Sequence, residues 1–292
     1  MKVKYRMGGR KLNKVPIVAI MYDFDKTLCT KDMQEYAFIP ALGMTAEQFW
    51  KEAQELTDRE EMDSILAYML KMVEKAKEKK IHIQRSTLQK MGEDVEFFEG
   101  VESWFDRINS YAREIGIRVE HYIVSSGLKE IIEGTTIAKQ FKKIYACEFL
   151  YDYTGMIQWP KFAVNYTTKT QFLFRINKGV LTVDTRSERE LNAYKEDRER
   201  RIPFSNMIYV GDGLTDVPCM KLVKVNGGQS IAVYNRDQGR QQAGDLMKAN
   251  RVNFVVPADY SEGSQIEVAV KAIMNKVKAV EELAETTKSI AE

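Results

Sequence analysis

Five short apolar runs recur along this chain, with helical patterns between most of them, and this rhythm limits the fold more than any other feature. Ile17–Tyr22 is apolar throughout, as a strand covered on both faces of a parallel sheet must be. His121–Val124, Met207–Val210, Ser230–Tyr234 and Phe254–Val256 read the same way. Helical periodicity falls on Val101–Ile115, Lys129–Phe141, Asp216–Val223, Gln238–Ala249 and Glu262–Glu282. Strand and helix in alternation predict an α/β fold built on a doubly wound parallel sheet. In such sheets ligands sit at the carboxyl ends of the strands.

The stretch from Cys29 to Phe98 breaks the rhythm. Helical periodicity in Met33–Leu42, Thr45–Leu56, Glu61–Lys80 and Arg85–Met91, with no convincing strand, predicts a helical insertion after the first strand. Beside the ligand-binding end of a sheet, such a unit would act as a lid. Between Phe149 and Trp159 two short strands around Asp152–Gly155 predict a hairpin. Asp184–Arg201 is dense in charges of both signs and reads as an exposed helix or flexible excursion. The tail from Thr286 is expected to fray.

Composition removes several function classes. With 292 residues, a formal charge of +2 and no basic cluster interleaved with aromatics, nothing calls for nucleic acid. The basic residues near the start, Lys2 to Lys14, read as a solvated lead-in. Cys29, Cys147 and Cys219 are too far apart for a metal-ligand pattern or a disulfide framework. Val15–Met21 is too short for a signal-peptide core, and no segment approaches a membrane span. The expectation is a cytoplasmic protein with no membrane partner.

The chemistry gathers at two strand ends. Asp23-Phe24-Asp25-Lys26-Thr27 follows the first apolar run, and Gly211-Asp212-Gly213-Leu214-Thr215-Asp216 follows Met207–Val210. Carboxylates gathered at strand ends repel one another unless a cation holds them. Asp23 is placed to attack an electrophile held over the sheet and form an acyl phosphate. Asp25, two residues on, is suited to protonate the leaving oxygen and then to deprotonate water. Mg²⁺ suits an all-oxygen set of Asp23, the backbone carbonyl of Asp25 and Asp212, with Asp216 orienting its water shell or pairing with a lysine. Ser125, Ser126 and Gly127, at the end of the His121 run, offer hydroxyls and N–H groups to an anion. Lys169, at the start of a helical pattern, would neutralise charge on a transferring group, with Lys178 as the alternative.

Together these residues resemble the haloacid dehalogenase superfamily, in its phosphatase branch related to phosphoserine phosphatase. Asp23, Asp25 and Thr27 match its first motif, Ser125 the second, Lys169 the third and Gly211–Asp216 the fourth. The resemblance implies a Rossmann-like core over residues 1–29 and 99–285, a helical cap over 30–98 and a tail over 286–292. It also implies Mg²⁺-dependent hydrolysis of a phosphate monoester of a small metabolite through an aspartyl phosphate on Asp23. Dehalogenase members lack the second Asp and transporting ATPases carry Thr there, whereas this chain has Asp25. The alternatives are phosphotransfer through the same intermediate and a non-catalytic binding module. For substrate selection the resemblance points to a cap acid, matched by Asp32, and a cap arginine, for which only Arg59 and Arg85 flank the central cap run. Phosphoserine itself is therefore not favoured.

Overall fold

The computed structural model describes residues 15–196, 199–235 and 239–291. The basic lead-in therefore lies outside the described residues. The strands are β1 (Ile17–Tyr22), β2 (Arg118–Leu128), β3 (Phe141–Tyr151), β4 (Ile157–Phe162), β5 (Met207–Gly211), β6 (Gln229–Tyr234) and β7 (Phe254–Pro257). They form one sheet in the order β4-β3-β2-β1-β5-β6-β7, parallel except for the β3–β4 hairpin. The chain runs outward from β1 through β2 and β3, then returns to the other side of β1 with β5. The strand order thus reverses between β1 and β5, which is where an α/β sheet opens a crevice.

The helices are α1 (Phe38–Ala41), α2 (Ala46–Glu60), α3 (Ser64–Glu78), α4 (Arg85–Lys90), α5 (Val101–Glu114), α6 (Lys129–Glu133), α7 (Lys169–Lys178), α8 (Thr185–Asn192), α9 (Val217–Val225), α10 (Arg240–Lys248) and α11 (Gln265–Ala291). All six β1 side chains are buried, which accounts for the unbroken apolar run. The first arm of the hairpin differs from expectation. The helical pattern assigned to Lys129–Phe141 ends at Glu133, where Gly134, Thr135 and Thr136 follow, and Phe141 opens a strand that pairs in parallel with β2. Glycine and β-branched residues are poor helix formers, so the break has a local cause.

Between β1 and α5 the structure is mainly helical. Thr45 and Gln48 form a reciprocal capping box at the start of α2, and the Asp63 carboxylate accepts the Ile65 and Leu66 amides at the start of α3. The first expected cap helix is split into a 3₁₀ turn at Met33–Glu35 and the four-residue α1. The hairpin reaches back to this unit: Ile157 N–H donates to the Ile83 carbonyl at 2.9 Å, and Asn165 Nδ2 donates to Asp63 Oδ2 at 2.8 Å.

A buried polar chain anchors the end of β1. Trp104 Nε1–H on α5 donates to the Tyr22 hydroxyl at 2.8 Å, Tyr22 lies 3.1 Å from His121 Nδ1, and His121 Nε2 lies 3.2 Å from Asn109 Oδ1. Read in that direction, every donor meets an acceptor only if His121 is neutral with its proton on Nε2. Burial accordingly pulls the His121 pKa down to about 3. Tyr22 is the residue before Asp23, so this chain fixes the platform from which the acidic loop departs.

Candidate active site

Asp23 is the first residue past β1, and its N–H donates to the Val210 carbonyl of β5 at 2.9 Å. This bond brings the two acidic loops side by side. Asp23 Oδ1 accepts the Phe24 amide at 2.8 Å and lies 3.2 Å from the Lys169 ammonium. Lys169 is the first residue of α7, and its side chain is fully buried. Its Nζ donates to Asp216 Oδ1 at 2.7 Å, an oxygen that also accepts the Tyr209 hydroxyl at 2.7 Å. Asp216 Oδ2 accepts the Gly213 amide at 3.3 Å. A Cβ on Gly211 would stand 2.5 Å from Asp216 Oδ2, so this carboxylate can fold back on the strand only over a glycine.

Asp212 completes the group: it accepts the Thr27 hydroxyl at 3.2 Å. One carboxylate oxygen from each of Asp23, Asp212 and Asp216 lies within 4.8 Å of the others. Burial, followed by the neighbouring carboxylates, pushes Asp23 up to about 6 and Asp212 up to about 8, and Lys169 offsets only part of this. For Lys169 burial disfavours the charge, but Asp216 and Asp23 more than reverse that and keep it protonated. Three carboxylates sharing one ammonium, two of them buried and Asp212 half-buried, leave an excess of acidic groups in the site. A hard divalent cation with oxygen ligands fits this donor set. Asp216 already spends both oxygens on Lys169, Tyr209 and Gly213, so Asp23 and Asp212 offer the freer ligand atoms.

Asp25 is not one of these three carboxylates. Its Oδ1 accepts the Met33 amide at 2.8 Å, and burial holds its carboxyl well above the usual range. Beside it the end of β2 lies close: a Cβ on Gly127 would stand 2.7 Å from Asp25 Oδ2 and 2.1 Å from Met33 Cε. Ser125 is fully buried, and its Oγ accepts the Gly127 amide at 3.1 Å. The Ser126 Oγ is buried without a partner, while its carbonyl accepts the Tyr68 hydroxyl of α3 at 2.7 Å. Ser125, Ser126 and Gly127 thus form the irregular last stretch of β2, against Asp25.

Not every residue singled out from the sequence joins this group. Lys178 ends α7, and its ammonium donates to the Leu191 and Ala193 carbonyls at 2.6 and 2.8 Å. This corrects the alternative reading of it as the phosphate lysine. Arg59 pairs with its neighbour Glu60 at 2.7 Å on the exposed end of α2. Arg85 binds Glu133 at 2.6 Å and Glu148 at 3.2 Å, tying α4 to α6 and β3. Both arginines are thus engaged away from Asp23, and of the three cap residues only Asp32 lies beside the acidic loop, paired with Lys26 at 2.5 Å. Tyr209 and Tyr68 belong to no motif. Tyr209 is hidden inside an apolar strand and Tyr68 on a cap helix, and a hydroxyl that must find a partner when buried is the available signal.

The model of the haloacid dehalogenase-like hydrolase family matches residues 20–221, a span that takes in both acidic loops, Ser125 and Lys169. An uncharacterized protein of Borreliella burgdorferi is 27% identical over 277 residues, which cover 86% of this chain and 94% of that protein. Among solved structures, a probable phosphoserine phosphatase from Vibrio cholerae superposes with a TM-score of 0.54 at 12% identity, covering 91% of this chain and 68% of that one. A phospho-aspartyl intermediate analogue of phosphoserine phosphatase gives 0.52 at 13% identity, covering 88% of this chain and 99% of the other. A hydrolase from Salmonella enterica serovar Typhi gives 0.53 at 15% identity, with 83% and 68% covered. These likenesses establish a shared fold, and the family model, matching well over half the chain, shows that it belongs to the haloacid dehalogenase-like hydrolases.

Proposed function

We propose that this chain is a Mg²⁺-dependent phosphohydrolase that cleaves a phosphate monoester of a small metabolite through an aspartyl phosphate on Asp23. The observation that carries the reading is the buried Lys169 ammonium spanning Asp23 and Asp216 at 3.2 and 2.7 Å beside Asp212. A phosphoryl group would bring the negative charge that this cation, the Ser125–Gly127 end of β2 and a divalent ion are suited to receive. Bound through Asp23 and Asp212, with the Asp25 carbonyl as a further oxygen, Mg²⁺ would neutralise charge and orient the phosphoryl group.

Asp23 supplies a carboxylate oxygen that forms the new bond to phosphorus as the ester bond breaks. The raised pKa of Asp25 keeps a proton available for the departing oxygen. In the second half Asp25, now ionised, removes a proton from the water that attacks the acyl phosphate. Lys169 holds Asp23 in place through Oδ1, leaving Oδ2 as the attacking atom. The cap would exclude bulk water during both steps.

The test is inorganic phosphate release from a panel of phosphorylated metabolites, with Mg²⁺ or EDTA, and with Asp23→Asn as control. Release that needs both Mg²⁺ and Asp23 is expected. No release from any ester by the folded, Mg²⁺-loaded protein would reject the reading in favour of a binding role.

A further inference from the structure

The segment that follows the first acidic motif is held in an unusual way. Lys26 adopts a left-handed backbone conformation with φ of 56°, uncommon for a residue with a side chain. Such conformations persist where the surroundings over-determine them. Three amides in succession, those of Thr27, Leu28 and Cys29, then return to the Phe24 carbonyl. The Lys26 side chain reaches forward to Asp32 Oδ2 at 2.5 Å and closes the loop as an ion pair. Asp32 in turn precedes Met33, the residue whose amide holds Asp25 Oδ1 at 2.8 Å. Met33 is itself seated, with its sulfur 3.0 Å from the Leu128 amide and its methyl group filling the space above Gly127.

We propose that Lys26 and Asp32 are positioning residues: their ion pair closes the 26–32 loop and presents the Met33 amide to Asp25, fixing the carboxyl group for proton transfer to the leaving oxygen. The inference rests on the phosphohydrolase reading and assigns two residues to its acid–base step. With Met33 N–H on Oδ1, the Asp25 carboxyl is oriented and its Oδ2 is directed at the Gly127 side of the crevice. As the ester P–O bond breaks and Asp23 bonds to phosphorus, the Asp25 proton passes to the departing oxygen. Water then returns a proton to Asp25 and its hydroxyl to phosphorus, releasing phosphate and restoring Asp23. Asp32 is occupied in this arrangement, so its carboxylate serves the loop and not a substrate amine.

A poor leaving group needs the proton and a good one does not, so the two can be told apart. Lys26→Met, Asp32→Asn and Lys26→Arg are compared with the wild-type protein on phenyl phosphate and 2,4-dinitrophenyl phosphate. Thermal unfolding of each variant verifies that it is folded. For Lys26→Met and Asp32→Asn the loss in kcat should be about tenfold or more larger on phenyl phosphate, within the range that general acid catalysis spans. KM should change little, and Lys26→Arg should restore most of the difference. Equal losses on both esters, or losses confined to KM, would overturn the positioning role and assign the pair to substrate binding or plain stability. A wild-type protein that hydrolyses neither aryl ester nor any ester of the metabolite panel rejects the phosphohydrolase reading itself, a result separate from either of these.

Discussion

Asp23, just past the end of β1, and Glu120, on the neighbouring β2, are equally hidden, each only 6% exposed, yet they are treated in opposite ways. Glu120 lies near the start of β2, at the far end of the sheet from Ser125. Its oxygens accept the Arg201 guanidinium at 2.5 and 2.7 Å, the Lys142 ammonium at 2.6 Å and the Tyr122 hydroxyl at 2.6 Å. Burial pushes this carboxyl up, but those donors more than offset the cost and bring it down to about 2. At Asp23 burial acts in the same direction, and one ammonium shared with Asp216 does not reverse it. The lesson is that compensation, not burial alone, separates a carboxylate that holds the fold from one left able to react.

The comparison breaks most decisively at Asp23 itself. Asp23→Asn should reduce phosphate release to background while leaving the midpoint of thermal unfolding unchanged or higher, since a carboxylate short of partners is lost. Readily measured turnover in that variant would reject the nucleophile. Asp25→Asn should cost roughly two to four orders of magnitude on esters with poor leaving groups; a loss below about tenfold there would remove Asp25 as the acid.

Smaller effects sharpen the contrast. Mg²⁺ at one hundred times its dissociation constant should stabilise the protein by about 2.7 kcal/mol, read as a rise in the unfolding midpoint. Asp212→Asn should abolish most of that rise; an unchanged response would place the ion elsewhere. Arg201→Met should destabilise by about 1–3 kcal/mol at neutral pH, as measured by urea unfolding. That cost has a pH signature. Because the folded pKa of Glu120 is depressed to about 2, its contribution is fully present above the unfolded value and is lost as pH falls from the ordinary glutamate range toward 2. The Arg201→Met penalty should therefore shrink in acid, and a penalty independent of pH would mean that Arg201 acts through packing alone.

Much of this is legible in the sequence because each acidic loop directly follows its own apolar strand. The Ile17–Tyr22 run is a strand over its whole length, and the acidic loops that follow β1 and β5 are brought together by the pairing of those strands, by the Asp23 amide on the Val210 carbonyl and by the Thr27 hydroxyl on Asp212. β3 was obscured because Phe141–Tyr151 mixes buried residues with exposed and half-buried ones, including Lys142 and Lys143, and follows a segment rich in isoleucine. Roles that depend on long-range contact were hidden altogether. No spacing relates Tyr209 to Lys169, or Met33 to Gly127, and the arginines Arg59 and Arg85 look available until their acidic partners are seen.

The order of the sheet has one more consequence, for how molecules of this protein behave toward each other. Its outer strands are β4 and β7, and each carries a proline, Pro160 and Pro257. A proline has no N–H to lend to an incoming strand. β4 also presents a half-exposed Lys161, and β7 is only four residues long. A parallel sheet with bare margins is a template for its own aggregation, and short, charged or proline-bearing borders are the usual defence. Here both margins are blunted, so a sheet rich in valine and isoleucine offers an incoming strand little to pair with.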